Sequence, residues 1–145
     1  MELRCVAIVL KKKEIGETDR LYTLYTREQG KVRVVARGIR KAEAKLASQL
    51  ENGTFVDVAI ARTRGTGKIT GAVAEETFPY LRHNFDILKR VLDVLGVFER
   101  LVDLEEPDAV LFDLLKEYLS LANDLGRGGK MDKVVLLSEG FLFQL

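Results

Sequence analysis

The stretch Gly30-Lys31-Val32-Arg33-Val34-Val35-Ala36-Arg37-Gly38 decides how this chain is read. Val32, Val34 and Ala36 alternate with Lys31, Arg33, Val35 and Arg37. That period of two belongs to a strand that gives one face to a core and keeps the other basic. The glycines at its ends are punctuation.

Working outward, the upstream sequence repeats the strand signal twice. Residues 4 to 12 form a β-branched run ending in lysines, and residues 20 to 27, Arg-Leu-Tyr-Thr-Leu-Tyr-Thr-Arg, suit a pleated surface, with a turn at Gly16 between them. Downstream, Ile39 to Leu50 carries alanine at 42, 44 and 47 and no β-branched residue after Ile39, which predicts a short helix. Asn52-Gly53 ends it. Residues 54 to 62 and 68 to 78 are again strand-like, with Thr63-Arg64-Gly65-Thr66-Gly67 between them as a hairpin tip. Three strands, a helix and two strands is the order of a five-stranded OB barrel.

Beyond Pro79 the period becomes helical. Phe85, Leu88, Leu92, Leu95 and Val102, broadened by Val91, Val94, Phe98 and Leu101, predict an apolar helix over 81 to 104 that needs cover on more than one side. Pro107-Asp108 starts a second helix to about Leu125, stopped by Gly126, Gly128 and Gly129, and a third runs from Asp132. The expected class is α+β: residues 1–79 an OB-fold nucleic-acid-binding domain, 80–145 a helical domain.

Composition bounds the rest. At 145 residues and 47% hydrophobic, the chain is long enough to bury a core without staples. Cys5, the lone cysteine, sits in the apolar run Cys5 to Leu10 and reads as a small buried hydrophobe. That run is too short to span a membrane, and Lys11-Lys12-Lys13 follows it where a signal peptide would carry charge first, so a cytoplasmic protein is expected. One cysteine and one histidine, His83, make no zinc site or catalytic triad. Gly65-Thr66-Gly67-Lys68 resembles the end of a phosphate loop, but Arg62 stands where its first glycine belongs and Ile69 where Ser/Thr should follow the lysine. The pairs Glu75-Glu76 and Glu105-Glu106 are adjacent and diverge, as on a solvated edge. Neither catalysis nor a cofactor is expected.

Charge points to a binding partner. Residues 1 to 72 hold fifteen Lys/Arg against eight Asp/Glu, and residues 73 to 145 hold eight against fourteen, so a basic half faces an acidic one beneath a formal net of +1. The cations fall where an OB barrel meets oligonucleotides. Lys11, Lys12 and Lys13 enter the loop between strands one and two, and Arg62, Arg64 and Lys68 flank the loop between four and five. Lys31, Arg33 and Arg37 share a face of strand three, with Arg40, Lys41 and Lys45 just beyond. Scattered lysines that merely solvate a barrel are the plainer reading of any one of them; their clustering favours sequence-neutral binding of a phosphate backbone. Tyr22 and Tyr25 lie on opposite faces of strand two, so one belongs to the core and only the other offers a base-stacking platform.

Gly16-Glu17-Thr18-Asp19-Arg20-Leu21, then Thr26-Arg27-Glu28-Gln29-Gly30-Lys31 and Ala36-Arg37-Gly38-Ile39-Arg40, with Phe78-Pro79 and the helical pattern beyond, resembles the bacterial recombination mediator family RecO. The resemblance implies an OB domain and a helical domain in a protein that binds single- and double-stranded DNA and anneals complementary strands. It also implies work with the RecR ring and exchange of single-stranded DNA-binding protein for the RecA recombinase. The family's DNA-contacting positions carry over onto Arg20, Lys31, Arg33, Arg37 and Arg40. Many RecO-like chains continue into a zinc-binding cysteine cluster that is missing before Leu145, which suggests a shortened chain or a minimal form whose end packs on another chain. Phe141 and Phe143 stand about 200° apart on a helix, so at least one should lie outside a simple seam, and self-association through the last helix is expected. The other function in play is a protein-interaction module with little DNA binding of its own.

Overall fold

The computed structural model describes residues 2–39, 45–62 and 65–145. Strands β1 (Glu2–Ile15), β2 (Asp19–Thr26), β3 (Gly30–Ala36), β4 (Phe55–Ala61) and β5 (Gly67–Glu76) close a barrel in the order β1-β2-β3-β5-β4. Every pairing is antiparallel except that of β3 with β5. This is the expected OB-fold barrel, followed by helices α1 (Pro79–Arg82), α2 (Phe85–Leu101), α3 (Ala109–Arg127) and α4 (Met131–Phe143).

The length of β1 follows from its double duty. Glu2 to Ile8 pair with β4, while Ala7 to Ile15 pair with β2, and a bulge between Val9 and Lys11 bends the strand from one neighbour to the other. The lysines expected in the first loop therefore lie within β1 itself. The helix expected over 39–50 is, in the described part, a single 3-10 turn at Leu46–Gln49; Arg40 to Ala44 lie outside the described residues. Ile39 and Leu50 are both buried in the barrel core and fix the segment at its ends. The helix expected over 81–104 is two helices, because the Asn84 side chain accepts a bond from the Ile87 N–H at 3.2 Å and starts α2 afresh.

Two apolar cores result. Inside the barrel lie Ala7, Val9, Tyr22, Leu24, Val32, Val34 and Ala36 with residues of β4 and β5. The second core joins α2, α3 and α4 and takes in Ile8, Leu10 and Tyr25 from the outer side of β1 and β2. This is why Cys5 to Leu10 is continuously apolar: odd positions fill the barrel and even ones meet the helices. Burial raises the Cys5 thiol pKa, in keeping with an inert side chain. At the chain's far end, Phe141 is buried and stacks on Tyr118 with centroids 4.6 Å apart, while Phe143 is 93% exposed, as their angular separation requires.

Candidate nucleic-acid interface

Strand register sets the layout of the barrel's outer face, because residues directly opposite in a ladder project to the same side. Ile8, Tyr25 and Lys31 form one row across β1, β2 and β3. The next row is Lys11, Thr23 and Arg33. A third runs through Lys13, Leu21 and Val35 to Lys68, which β5 places opposite Val35. Lys11, Lys13, Arg33 and Lys68 thus share one face across four strands, a width of roughly 14 Å from Lys13 to Lys68 at ordinary strand spacing. Arg37, expected on strand three, lies in the turn directly after it, where ladder register no longer sets its direction.

Burial along this face is graded. The first row is covered by the helices: Tyr25 packs edge-on to Phe98 with centroids 4.9 Å apart, and burial, then the charge of Asp108, pushes its phenol up to about 12. Lys31 in the same row is 6% exposed, and its Nζ donates to the Glu99 carbonyl oxygen at 2.7 Å. The expectation that Lys31 belongs to an open basic face is therefore corrected, since α2 sits on that end of β3. The middle row lies at the border. Lys11 Nζ and Arg33 Nη2 stand 3.6 and 3.7 Å from Glu99 Oε1, with side chains 56% and 43% exposed. The third row is open: Lys13 and Lys68 are exposed and have no ion-pair partner among the described residues. Arg37 is exposed beside Asp19, with Nη1 3.7 Å from Oδ2.

Of the remaining expected positions, Arg62 lines a groove with Arg33 at the edge of this face, and the others lie off it or outside the described residues. Lys12 pairs with Glu51 at 3.4 Å. Arg20 has the opposite parity to Arg33 and donates from Nε to Glu14 Oε1 at 3.0 Å. Arg62, just after β4, is paired with Glu105. Lys45 is exposed next to the 3-10 turn, and Arg40, Lys41 and Arg64 lie outside the described residues. Both tyrosines of β2 are buried, Tyr22 in the barrel and Tyr25 under the helices, so neither is a stacking platform. The expectation of one exposed tyrosine fails because β2 buries both faces over these residues.

The carboxylates that meet these cations come largely from the acidic half; Glu99 and Asp113 were not singled out in the sequence, and Glu105 was read there only as part of a solvated edge. Glu99 on α2 reaches Lys11, Lys31 and Arg33; Glu105, between α2 and α3, reaches Arg62; and Asp113 on α3 bonds Arg27 at 3.1 Å. A sequence signal for Glu99 existed: it directly follows Phe98 inside the broad apolar stripe of α2, where a charge is buried only if something pairs it. The α2–α3 connector is docked on β3 by the Glu105 N–H, which donates to the Lys31 carbonyl oxygen at 2.9 Å.

Comparison with known proteins fits this picture. The family described as Recombination protein O N terminal matches residues 1–78, the whole barrel and the entry to the helices. Similar proteins include "DNA repair protein RecO" of Myxococcus xanthus, 36% identical over 115 residues, covering 79% of this chain and 47% of that protein. The protein of the same name from a Nocardioides species is 36% identical over 142 residues, 95% of this chain and 58% of its own length. That of Gloeobacter violaceus is 41% identical over 78 residues, 54% and 30% respectively. The chain spans about half the length of the curated relatives it matches. The barrel, its motifs and this match over residues 1–78 together mean that the chain belongs to the Recombination protein O N-terminal family.

Proposed function

We propose that this chain binds DNA through the outer face of β1, β2, β3 and β5 and serves DNA repair and recombination in the cytoplasm, as the name of its relatives suggests. Residues 1–79 act as the nucleic-acid-binding unit and residues 80–145 as the unit that covers one end of it. The observation that carries the reading is the gathering of Lys11, Lys13, Arg33 and Lys68 on one face by strand register, with exposed Arg37 directly after β3. Cations spaced across such a face follow a phosphate backbone. Both tyrosines of β2 are buried, so binding is led by phosphates rather than base stacking and is indifferent to sequence. On this reading single- and double-stranded DNA both bind, complementary strands anneal while held, and a RecR-like ring and single-stranded DNA-binding protein are the partners in loading RecA. No catalytic step is assigned to it.

Fluorescence anisotropy of labelled single-stranded DNA over a salt series tests the reading. Affinity should fall steeply with salt as condensed counterions are released; undetectable binding at low salt would overturn it. A second reading, a protein-interaction module, is favoured by the exposure of Leu136 at 69% and Phe143 at 93% on α4. Capture of a RecR-like ring by a chain that does not bind DNA would select that reading instead.

A further inference from the structure

The border of the DNA-binding face is already occupied by anions from the helical half. Glu99 Oε1 lies 3.6, 3.8 and 3.7 Å from the terminal nitrogens of Lys11, Lys31 and Arg33, side chains contributed by two different strands. Lys31 is buried with Glu99, but Lys11 and Arg33 remain about half exposed and within reach of a ligand. Their separations from the carboxylate exceed hydrogen-bond length, so these are charge contacts that another anion can replace.

A second carboxylate stands beside the first. Arg33 and Arg62 line a groove with Val32, Thr66 and Leu104, and Glu105 enters that groove to pair with Arg62. Glu105 holds φ at +59°, in the left-handed region that residues with a side chain seldom adopt, and is kept there by its bond to the Lys31 carbonyl oxygen. Strain of this kind persists where the surrounding structure enforces a particular placement. A carboxylate against a guanidinium makes the same charge-assisted contact as a phosphate oxygen does.

We propose that Glu99 and Glu105 are built-in competitors for DNA: they occupy phosphate positions on Lys11, Arg33 and Arg62, and a nucleic-acid backbone that extends from the open rows to the border must displace them. The inference rests on the DNA-binding reading above and adds its regulation. The open rows give first capture, and full engagement is coupled to release of the α2–α3 connector from the barrel.

The test compares the full chain with Glu105→Gln, Glu99→Gln and Glu106→Gln in the same anisotropy titration with single-stranded DNA. Glu105 and Glu106 are both exposed, so their variants keep the fold, and Glu106 has no barrel cation as partner among the described residues. Glu105→Gln should tighten binding about threefold or more at low salt and steepen the salt dependence by about 0.7 for the one cation released, with a larger gain in Glu99→Gln. Glu106→Gln, which removes the same charge, should stay near the parent. Parent-like binding by both Glu105→Gln and Glu99→Gln overturns the competition and leaves the DNA-binding reading standing. An equal gain in Glu106→Gln also overturns it, because net charge alone then suffices. Absence of binding in every variant overturns both.

Discussion

Lys31 lies near the start of β3 and Arg37 directly follows its end, six residues apart, yet one is 6% exposed and the other projects into water. At the Lys31 end, α2 and the α2–α3 connector lie against the sheet, and Lys31 is bonded to both, through its ammonium to Glu99 and through its carbonyl to Glu105. The Arg37 side chain meets Asp19 and solvent instead. The lesson is that a strand's basic periodicity counts cations without saying which are available. In this barrel the helical half takes one end of the cationic face for packing, borders the middle with carboxylates, and leaves the rest exposed.

The sharpest way to break this comparison is to stop the connector from docking. Gly30 has φ of +72°, and a Cβ there would lie 2.6 Å from the backbone carbonyl of Glu106. Gly30→Ala should cost about 3 kcal/mol in chemical denaturation, from left-handed strain plus a clash with main chain that cannot move aside. A loss below about 1 kcal/mol would mean that the covered end is not tightly held.

Next in size is the contrast between the two cations themselves. Lys31→Ala removes a buried, charged hydrogen bond to the Glu99 carbonyl and should cost about 2 kcal/mol. Arg37→Ala should cost under about 0.5 kcal/mol, since its ion pair is exposed. Equal costs would erase the distinction drawn between the two ends.

DNA titration reads the same contrast from the other side. Arg37→Ala combined with Lys68→Ala should leave melting unchanged and lower the salt dependence of single-stranded DNA binding by about 0.7 for each phosphate no longer neutralised. Arg33→Ala combined with Arg37→Ala should weaken binding with the fold intact, though Arg33 gives less than an open cation because Glu99 already faces it. Unchanged affinity in both doubles would remove this face from the interface.

A further effect is silent at neutral pH. Burial pushes the phenols of Tyr25 and Tyr118 up to about 12, helped at Tyr25 by Asp108 and offset at Tyr118 by its bond with Ser138. A phenol whose pKa is raised on folding gives stability that is complete below its ordinary value near 10 and lost as pH climbs towards 12. Melting temperature should therefore fall across that window, and less so in Tyr25→Phe. A flat alkaline profile would show that the covered end admits water.

Much of this was legible in the sequence for a definite reason. The alternation of Val32, Val34 and Ala36 names the inner face whatever covers the outer one, and Asp108 is a helix start whose side chain accepts a bond from Leu111. The burial of Lys31 was not legible, because it depends on where Glu99, sixty-eight residues away, comes to lie. The fate of Tyr25 was hidden for the same reason: period two tells inside from outside in a barrel but does not tell water from a neighbouring helix. The register that aligns Lys13 with Lys68 likewise requires knowing that β5, not β4, closes against β3.

The barrel side chains most deeply buried in the helical core, Ile8, Leu10 and Tyr25, also bear on the order of assembly. All are contributed by the first two strands, which pair with each other through a short turn and precede every helix along the chain. During synthesis the docking surface for α2 and α3 is thus translated before the helices that need it, and those helices condense on a template instead of searching for one another. A ribosome-bound chain arrested before α2 should already protect its strand amides from exchange. Helices released without the barrel would leave Phe98 and Phe112 without the ring they close upon.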